Sequence, residues 1–278
     1  MATKKRGLGR GLDALLGGAS VSAMQEEAAK VDTRELQHLP LDLIQRGKYQ
    51  PRRDMDPQAL EELAQVVNRT AARGGVLLIP TFALGRAQAL AVALHRLRES
   101  GRIPHIPKFL DSPMAIEVSG VHQAHAAELR VPSAELDAAL ETVKPVASVE
   151  DSKALGRRHG PMVILAGAGM LSGGRILHHL VRFGGDTRST LLLVGFQAEG
   201  TRGRDLVRGS RSLRIHGEQV EIRLEVVRLE VFSGHAGRSE LLAWLESGPP
   251  AAVSLVHGEP RPADALRREI SARLGWDV

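Results

Sequence analysis

Residues 162–175 read MVILAGAGMLSGGR, and this stretch decides the fold of the chain. Its first five residues form a continuous apolar run, which is typical of a strand that is buried on both faces of a parallel sheet. The glycines that follow indicate a tight turn, after which Arg175 begins a helix that ends at about Phe183. The order of strand, glycine loop and helix is the repeating unit of an α/β sheet.

Apolar runs of the same kind lie on both sides of this unit. Upstream, VLLI at 76–79 precedes a helix that ends at about Glu99, and a second strand is predicted at 106–110. Downstream, the run TLLLVG predicts a strand at 190–195. Strands that alternate with helices predict the α/β class, with a doubly wound and mostly parallel sheet.

The carboxyl-terminal part follows a different pattern. An antiparallel addition is predicted from short strands at 213–215, 220–224 and 226–229. A helix that ends at about Leu245 then precedes AVSLV at 252–256, which predicts one more buried strand. The final helix ends at about Leu274.

The composition excludes several classes of protein. With 43% hydrophobic and 25% charged residues, the chain is globular. No apolar run approaches the ~20 residues of a membrane span, and the first thirty residues lack a signal-peptide core, so we expect a cytoplasmic protein without a membrane partner. There is no cysteine, so a metal would need His, Asp or Glu ligands. Aromatic residues make up 3%, so base stacking is not expected to be the main means of holding nucleic acid.

The net charge of +5 is unevenly placed. Residues 1–65 contain ten basic and ten acidic side chains, so the whole excess lies in residues 66–278. This bias favours a polyanionic partner, although a solvated surface of mixed charge would give the same count.

The glycine loop predicts a small anion site. Backbone amides at a helix N-terminus approach phosphates, which here points to Ser172, Gly173 and Gly174 with Arg175 beside them. A dinucleotide site is not indicated, because the spacing is GxGxxxGG and the next strand leads into Phe196 rather than an acid. The alternative is that the glycines only permit tight packing of the strand and helix.

Two histidines are candidates for chemistry. His257 follows the predicted strand at 252–256, where open α/β sheets place functional groups, and His235 precedes a helix. Two histidines alone do not make a zinc site, which needs at least three protein ligands. His122 and His125 have helical spacing, but an exposed helix face explains them better.

The amino terminus carries a separate signal. The peptide GLGRGLDALL occupies residues 7–16, and its leucines lie on one face of a short helix. This segment is either a disordered tail or a docking peptide that becomes helical on a partner. The loop YQPRR at 49–53 follows, and a helix is predicted from Pro57 to about Ala64.

These amino-terminal motifs resemble the ParB family of chromosome-partitioning proteins over residues 1–65. The resemblance implies a ParA-type ATPase as partner of residues 1–16, and a CTP-binding domain that begins at the YQPRR loop. The residues that would contact the ATPase are Leu8, Arg10, Leu12, Leu15 and Leu16. The family's GERR motif, its second nucleotide motif and its helix-turn-helix do not occur in the chain.

Residues 66–278 resemble the β-CASP metallo-β-lactamases, which are RNA-processing nucleases. The motifs that carry the resemblance are RGG at 73–75, PTFALGRAQ at 80–88, LDSPMA at 110–115, GAGMLSGGR at 167–175, GFQAEGTRGR at 195–204, FSGH at 232–235 and LVHGE at 255–259. The family implies RNA as partner and zinc as cofactor, with His257 as a metal ligand and His235 as the general acid. Phosphates are then expected near the glycine turns that Arg175, Arg202 and Arg204 flank.

The chain also departs from this family. It contains no HxHxDH motif, which supplies most of the family's zinc ligands, and Gly237 replaces the usual Asp two residues after His235. We therefore expect that the chain does not bind zinc stably and is catalytically incomplete.

These observations predict a chimeric chain. The expected parts are a flexible ParA-docking-like peptide and linker at 1–30, a ParB-like fragment at 31–65, a β-CASP domain at 66–231, and the closing segment of a metallo-β-lactamase (RNA specificity) domain at 232–278. The predicted function is that of an RNA-processing metallo-hydrolase, inactive in this chain. The alternative is a ParB-type partition protein that interacts with ParA.

Overall fold

The structure, a computed structural model, describes residues 57–229, 236–246 and 252–278. The chain divides into two compact units, Met1–Lys48 and Tyr49–Val278, and all described residues belong to the second. The predictions for the amino-terminal peptide and for the YQPRR loop lie outside the described residues. No described helix is long and apolar enough to cross a membrane.

A parallel sheet of six strands forms the centre of the described unit. The strands are β1 Val76–Pro80, β2 Lys108–Asp111, β3 Val143–Pro145, β4 Met162–Ala166, β5 Thr190–Leu193, β6 Ser212–Ile215, β7 Glu218–Glu221 and β8 Glu225–Arg228. The sheet has the order β3-β2-β4-β1-β5-β8, and β6 and β7 form a separate hairpin. Because β1 and β4 lie at its centre, every residue of both strands is buried, as their apolar runs predict.

Helices connect the strands and cover both faces. They are α1 Pro57–Ala72, α2 Arg86–Glu99, α3 Pro113–Ala124, α4 Ser133–Glu141, α5 Val149–Leu155, α6 Arg175–Phe183, α7 Arg202–Val207, α8 Arg238–Leu245 and α9 Pro260–Leu274. α1 and α2 pack on the face that carries Leu77 and Ile79. α6 packs on the opposite face, against Leu78 and Ile164. The predicted doubly wound α/β fold is confirmed.

The first helix is longer than predicted. α1 begins at Pro57 as expected but continues past Ala64 to Ala72, because buried residues recur along its whole length. Near its end, Thr70 Oγ1 bonds to the Val66 carbonyl at 2.8 Å and lies 2.7 Å from Thr190 Oγ1. The proposed boundary at residue 65 therefore falls inside one continuous helix.

Two strand predictions for the carboxyl-terminal part are wrong. The strand predicted at 226–229 is not part of the antiparallel addition, because β8 pairs in parallel with β5. Only β6 and β7 are antiparallel among the described strands. Residues 252–256 form no strand, and the side chain of Val256 is 84% exposed. Although the segment is mostly apolar, no described strand pairs with it.

Candidate nucleic-acid site at the carboxyl edge of the sheet

The carboxyl ends of β1 and β4 form the centre of the candidate site. These two strands are neighbours, and the helices that follow them, α2 and α6, lie on opposite faces of the sheet. Such a position in a doubly wound sheet opens a crevice between the connecting loops, and ligands bind there. The loop that follows β4 is the glycine loop at 167–174, and the loop that follows β5 begins at Val194.

Steric contacts explain the last glycine of the loop. Gly174 has a φ of +75°, and a Cβ at this position would lie 2.3 Å from the carbonyl oxygen of Gly167. The amide of Ile176 donates to the same oxygen at 3.0 Å, so the loop closes tightly before α6 begins. Tight packing, the alternative of the sequence analysis, therefore accounts for Gly174.

The middle of the loop is open to solvent. Ser172 is exposed and Gly173 is half-buried. Within the described residues, the backbone amides of Ser172 and Gly173 donate no hydrogen bond. Two amides without a hydrogen-bond partner, in a tight turn before a helix, are suited to a phosphate oxygen.

Arg175 faces inward. Its Nη1 donates to Asp111 Oδ1 at 2.6 Å and to the Val146 carbonyl at 2.8 Å, while its Nη2 donates to the Ala147 carbonyl at 2.6 Å. The side chain is 17% exposed. Through these contacts Arg175 fixes the start of α6 to β2. The sequence suggests a different role for this side chain, a contact with phosphate.

Asp111 is the centre of a buried polar network at the end of β2. Besides Arg175, its carboxylate accepts a hydrogen bond from Ser152 Oγ at 2.5 Å and lies 2.7 Å from His179 Nε2. Burial alone would raise the pKa of Asp111, but hydrogen bonds from His179, Ser152 and Arg175 outweigh it and lower that pKa below its ordinary value. The carboxylate is therefore ionised and joins α5 and α6 to the sheet.

The other two predicted arginines lie beside the loop after β5. Arg202 Nε donates to the Arg214 carbonyl at 2.8 Å, and its Nη1 donates to the Leu171 carbonyl at 3.2 Å. This brings Arg202 against the glycine loop. Arg204 shares the carboxylate of Glu199 with Arg208, at 3.1 and 2.6 Å, so two guanidinium groups face one acid.

Gln197 joins the two loops. Its Nε2 donates to the carbonyls of Gly169 and Gly195, each at 3.1 Å. Its Oε1 lies so close to Gly203 that a Cβ there would be 1.7 Å away. Gly203 is therefore required for the close approach of α7 to the glycine loop.

The segment of His257 contacts the same edge. The carboxylate of Glu259, two residues later, accepts a hydrogen bond from the Glu199 amide at 3.2 Å. His257 is exposed and has a φ of +63°. His235 lies outside the described residues.

The described residues do not fit a zinc centre. Among them, no three His, Asp or Glu side chains come together as a group that could hold a metal ion. His257 is thus not joined there by the further ligands that a zinc site needs. His122 and His125 lie on α3 and just after it, where His125 pairs with Glu128 on the exposed surface.

Sequence reasoning missed the network around Asp111. The sequence did contain a signal for Asp111, because this residue ends a predicted buried strand and is followed by Ser-Pro, which is typical of a helix start. Its partners Ser152 and His179 carried no such signal, since they lie far away in sequence and meet only in the fold. Arg86 was also missed, and its guanidinium donates to the Val194 carbonyl at the end of β5.

Three protein-domain families match the chain. Residues 87–206 match the Beta-Casp domain, and residues 219–278 match the Zn-dependent metallo-hydrolase RNA specificity domain. Residues 25–94 match the ParB N-terminal domain, so the first and third matches overlap within α2. Both resemblances of the sequence analysis are confirmed.

The individual relatives fall into the same two groups as the family matches. The chain is 41% identical over 227 residues to Ribonuclease TTHA0252 of Thermus thermophilus, covering 78% of this chain and 51% of the relative. It is 32% identical over 230 residues to the transcription termination factor FttA of Methanosarcina mazei, covering 78% and 36%. It is 64% identical over 80 residues to a probable chromosome-partitioning protein ParB of Pseudomonas putida, covering 29% and 28%.

The chain spans about half the length of the ribonuclease and about a third of the termination factor. The sheet and glycine loop lie largely within the first matched domain, and His257 lies within the second. The chain therefore contains segments that match the ParB N-terminal domain, the Beta-Casp domain and the metallo-hydrolase RNA specificity domain.

Proposed function

We propose that this protein acts on RNA as a member of the β-CASP metallo-hydrolases, and that the 278 residues alone bind RNA without cleaving it. The observation that carries the proposal is the 41% identity over 227 residues to a ribonuclease. The matches to the Beta-Casp domain and to the metallo-hydrolase RNA specificity domain point in the same direction. Phosphate binding at the carboxyl edge is supported by the amides of Ser172 and Gly173, which donate no hydrogen bond within the described residues, and by the neighbouring Arg202.

The first test measures RNA binding against salt. Phosphate contacts release counterions, so the logarithm of the affinity for single-stranded RNA falls by about 0.7 per contact for each tenfold rise in salt. Replacing Arg202 and Arg204 by Gln removes up to two contacts, and we expect the slope to decrease by about 1.4. Arg175 is left in place because it fixes α6 to β2. Binding that ignores salt would contradict the proposal.

The second test concerns catalysis. A hydrolytic zinc centre needs a complete ligand set. In this proposal His257 is the zinc ligand and His235 the general acid of the family arrangement, but the HxHxDH motif does not occur in these residues. We expect negligible cleavage of single-stranded RNA by the purified chain and no stoichiometric zinc by elemental analysis. Chelator-sensitive cleavage that disappears in His257→Ala would show that an active centre is present.

A second candidate function is favoured by the 64% identity to a ParB protein. In this case Leu8, Arg10, Leu12, Leu15 and Leu16 bind a ParA-type ATPase, and the remaining residues need not bind RNA. The double variant Leu12→Ala with Leu15→Ala should then lose binding to a purified ParA-type ATPase while its RNA binding is unchanged. If the unmodified chain does not bind the ATPase, this candidate is excluded.

A further inference from the structure

Two exposed phenylalanines lie at the ends of neighbouring strands. Phe82 follows β1 and is 45% exposed, and Phe196 follows β5 and is 46% exposed. β1 and β5 pair in parallel, with Leu78 opposite Leu191, and this register brings both rings to the carboxyl edge. Neighbouring strands lie about 5 Å apart, so the two rings start from adjacent positions.

Phe82 is held against the glycine loop. A Cβ on Gly169 would lie 2.9 Å from two carbon atoms of the Phe82 ring, so the ring packs directly on the loop backbone. The ring is supported there and still leaves almost half of its surface to solvent. A supported, exposed ring on the glycine loop is a surface on which a planar group can stack.

Phe196 lies in the loop that follows β5, at the same edge of the sheet. It lies between Gly195, beside the Arg86 guanidinium, and Gln197, which is bound to the glycine loop. Large apolar side chains that remain exposed at one edge of a sheet indicate a binding surface. Leu84 and Met114, at 72% and 66% exposed, extend the apolar character of this edge.

We propose that Phe82 and Phe196 are stacking surfaces for unpaired bases of single-stranded RNA, whose phosphates lie over the glycine loop. This inference rests on the proposed function. It adds contacts with the bases, whereas the arginines and amides would contact only the phosphates. RNA is favoured over a protein partner because Phe82 packs on the same glycine loop that carries the amides of Ser172 and Gly173, and because Arg204 and Arg208 share only one carboxylate.

The low aromatic content is consistent with this proposal. The chain has five phenylalanines, and two of them are exposed at one edge of the sheet. A low overall content argues against an extended aromatic platform. Two rings are sufficient to hold two bases, and stacking on each is worth a severalfold or larger change in affinity.

The experiment compares two RNA probes of equal length by fluorescence anisotropy. One is a single-stranded oligoadenylate, and the other is the same sugar-phosphate chain without bases. The variant carries Phe82→Leu and Phe196→Leu, which keep apolar side chains but remove both rings. We expect its Kd for oligoadenylate to rise at least tenfold, while its Kd for the abasic probe is unchanged.

Two controls make the result specific. Phe82→Tyr with Phe196→Tyr keeps both rings and should restore the affinity for oligoadenylate. Trp244→Leu removes an exposed aromatic side chain from α8 and should leave both affinities unchanged. Thermal unfolding of each variant confirms that the fold is retained.

Several outcomes would overturn the inference. If the leucine variant binds oligoadenylate as well as the unmodified chain does, the rings do not stack on bases. The same conclusion follows if its affinities for the two probes fall by the same factor. If the unmodified chain binds oligoadenylate no better than the abasic probe, the inference fails while the proposed RNA function stands. If the unmodified chain binds neither probe, both fail. If sedimentation shows a dimer that the leucine variant abolishes without a change in RNA binding, the edge is a protein interface.

Discussion

At the scale of single residues, Asp111 has the greatest structural consequence of the groups at the candidate site. Its carboxylate is fully buried and is shared by a guanidinium, an imidazole and a hydroxyl. Removing one partner of a buried ion pair leaves the other charge without compensation. We therefore expect Asp111→Asn to lower the free energy of unfolding by about 3–5 kcal/mol, measured by urea unfolding at pH 7.

A surface pair provides the control for this variant. Glu135 pairs with Arg96 at 2.5 Å but lies at the surface, where an ion pair contributes under about 1 kcal/mol. Glu135→Gln should therefore change stability by less than that amount. A similar small loss for Asp111→Asn would show that the buried network does not stabilise the fold.

The pH dependence follows from the lowered pKa of Asp111. Its ordinary value is 3.8, and the folded value lies below this because the hydrogen bonds outweigh burial. The ionised group stabilises the fold above pH 3.8, and this contribution is lost as the pH falls toward the folded pKa. The difference between the unmodified chain and Asp111→Asn should accordingly decrease below pH 4.

Residue roles were predicted best where a motif acts locally. The loop position of Ser172 and Gly173 could be predicted because the strand, turn and helix are consecutive. The inward direction of Arg175 could not, since its partner Asp111 lies 64 residues earlier. A basic side chain beside a glycine turn has the same sequence pattern whether it faces a phosphate or a buried carboxylate.

At the scale of the elements, the glycine loop and α3 offer a matched comparison. Gly174 has a positive φ, and a Cβ would lie 2.3 Å from backbone, whereas Gly120 lies inside α3, where an added Cβ would meet no atom within 4 Å. Gly174→Ala should destabilise the fold by more than about 1 kcal/mol, because both strain and overlap oppose it. Gly120→Ala should stabilise it by up to about 1 kcal/mol, because alanine favours a helix.

Thermal unfolding of both glycine variants checks this prediction. The melting temperature should fall for Gly174→Ala and rise for Gly120→Ala. A fall for both would mean that the space around Gly120 is closed in solution. A rise for both would mean that the glycine loop can relax without cost.

Elements with continuous local patterns were predicted well. β4 and α6 have the expected bounds, since a five-residue apolar run that leads through a glycine turn into a helix is typical of a buried parallel strand. The partners of the later strands depend on non-local pairing. β8 joins β5 in parallel although the sequence predicts an antiparallel addition there, and residues 252–256 form no strand although their sequence is mostly apolar.

At the scale of the whole molecule, burial is unevenly distributed between the sheet and the carboxyl-terminal segment. The described residues of the sheet have two extensive apolar clusters, one on each face. In residues 252–278, Ile270 is the buried apolar side chain, and Val256 is largely exposed. Segments with few buried apolar contacts open more often than a packed sheet.

We therefore expect residues 252–278 to exchange backbone amide hydrogens faster than residues 76–195. Mass spectrometry of peptides from the intact chain measures both regions in one sample, so the sheet is an internal control. Exposed apolar residues such as Val256 also favour association, and deleting residues 252–278 should reduce aggregation. Protection from exchange requires stable hydrogen bonds that open only when the fold opens. Equally slow exchange in both regions of a monodisperse monomer would therefore mean that the carboxyl-terminal segment is fully packed.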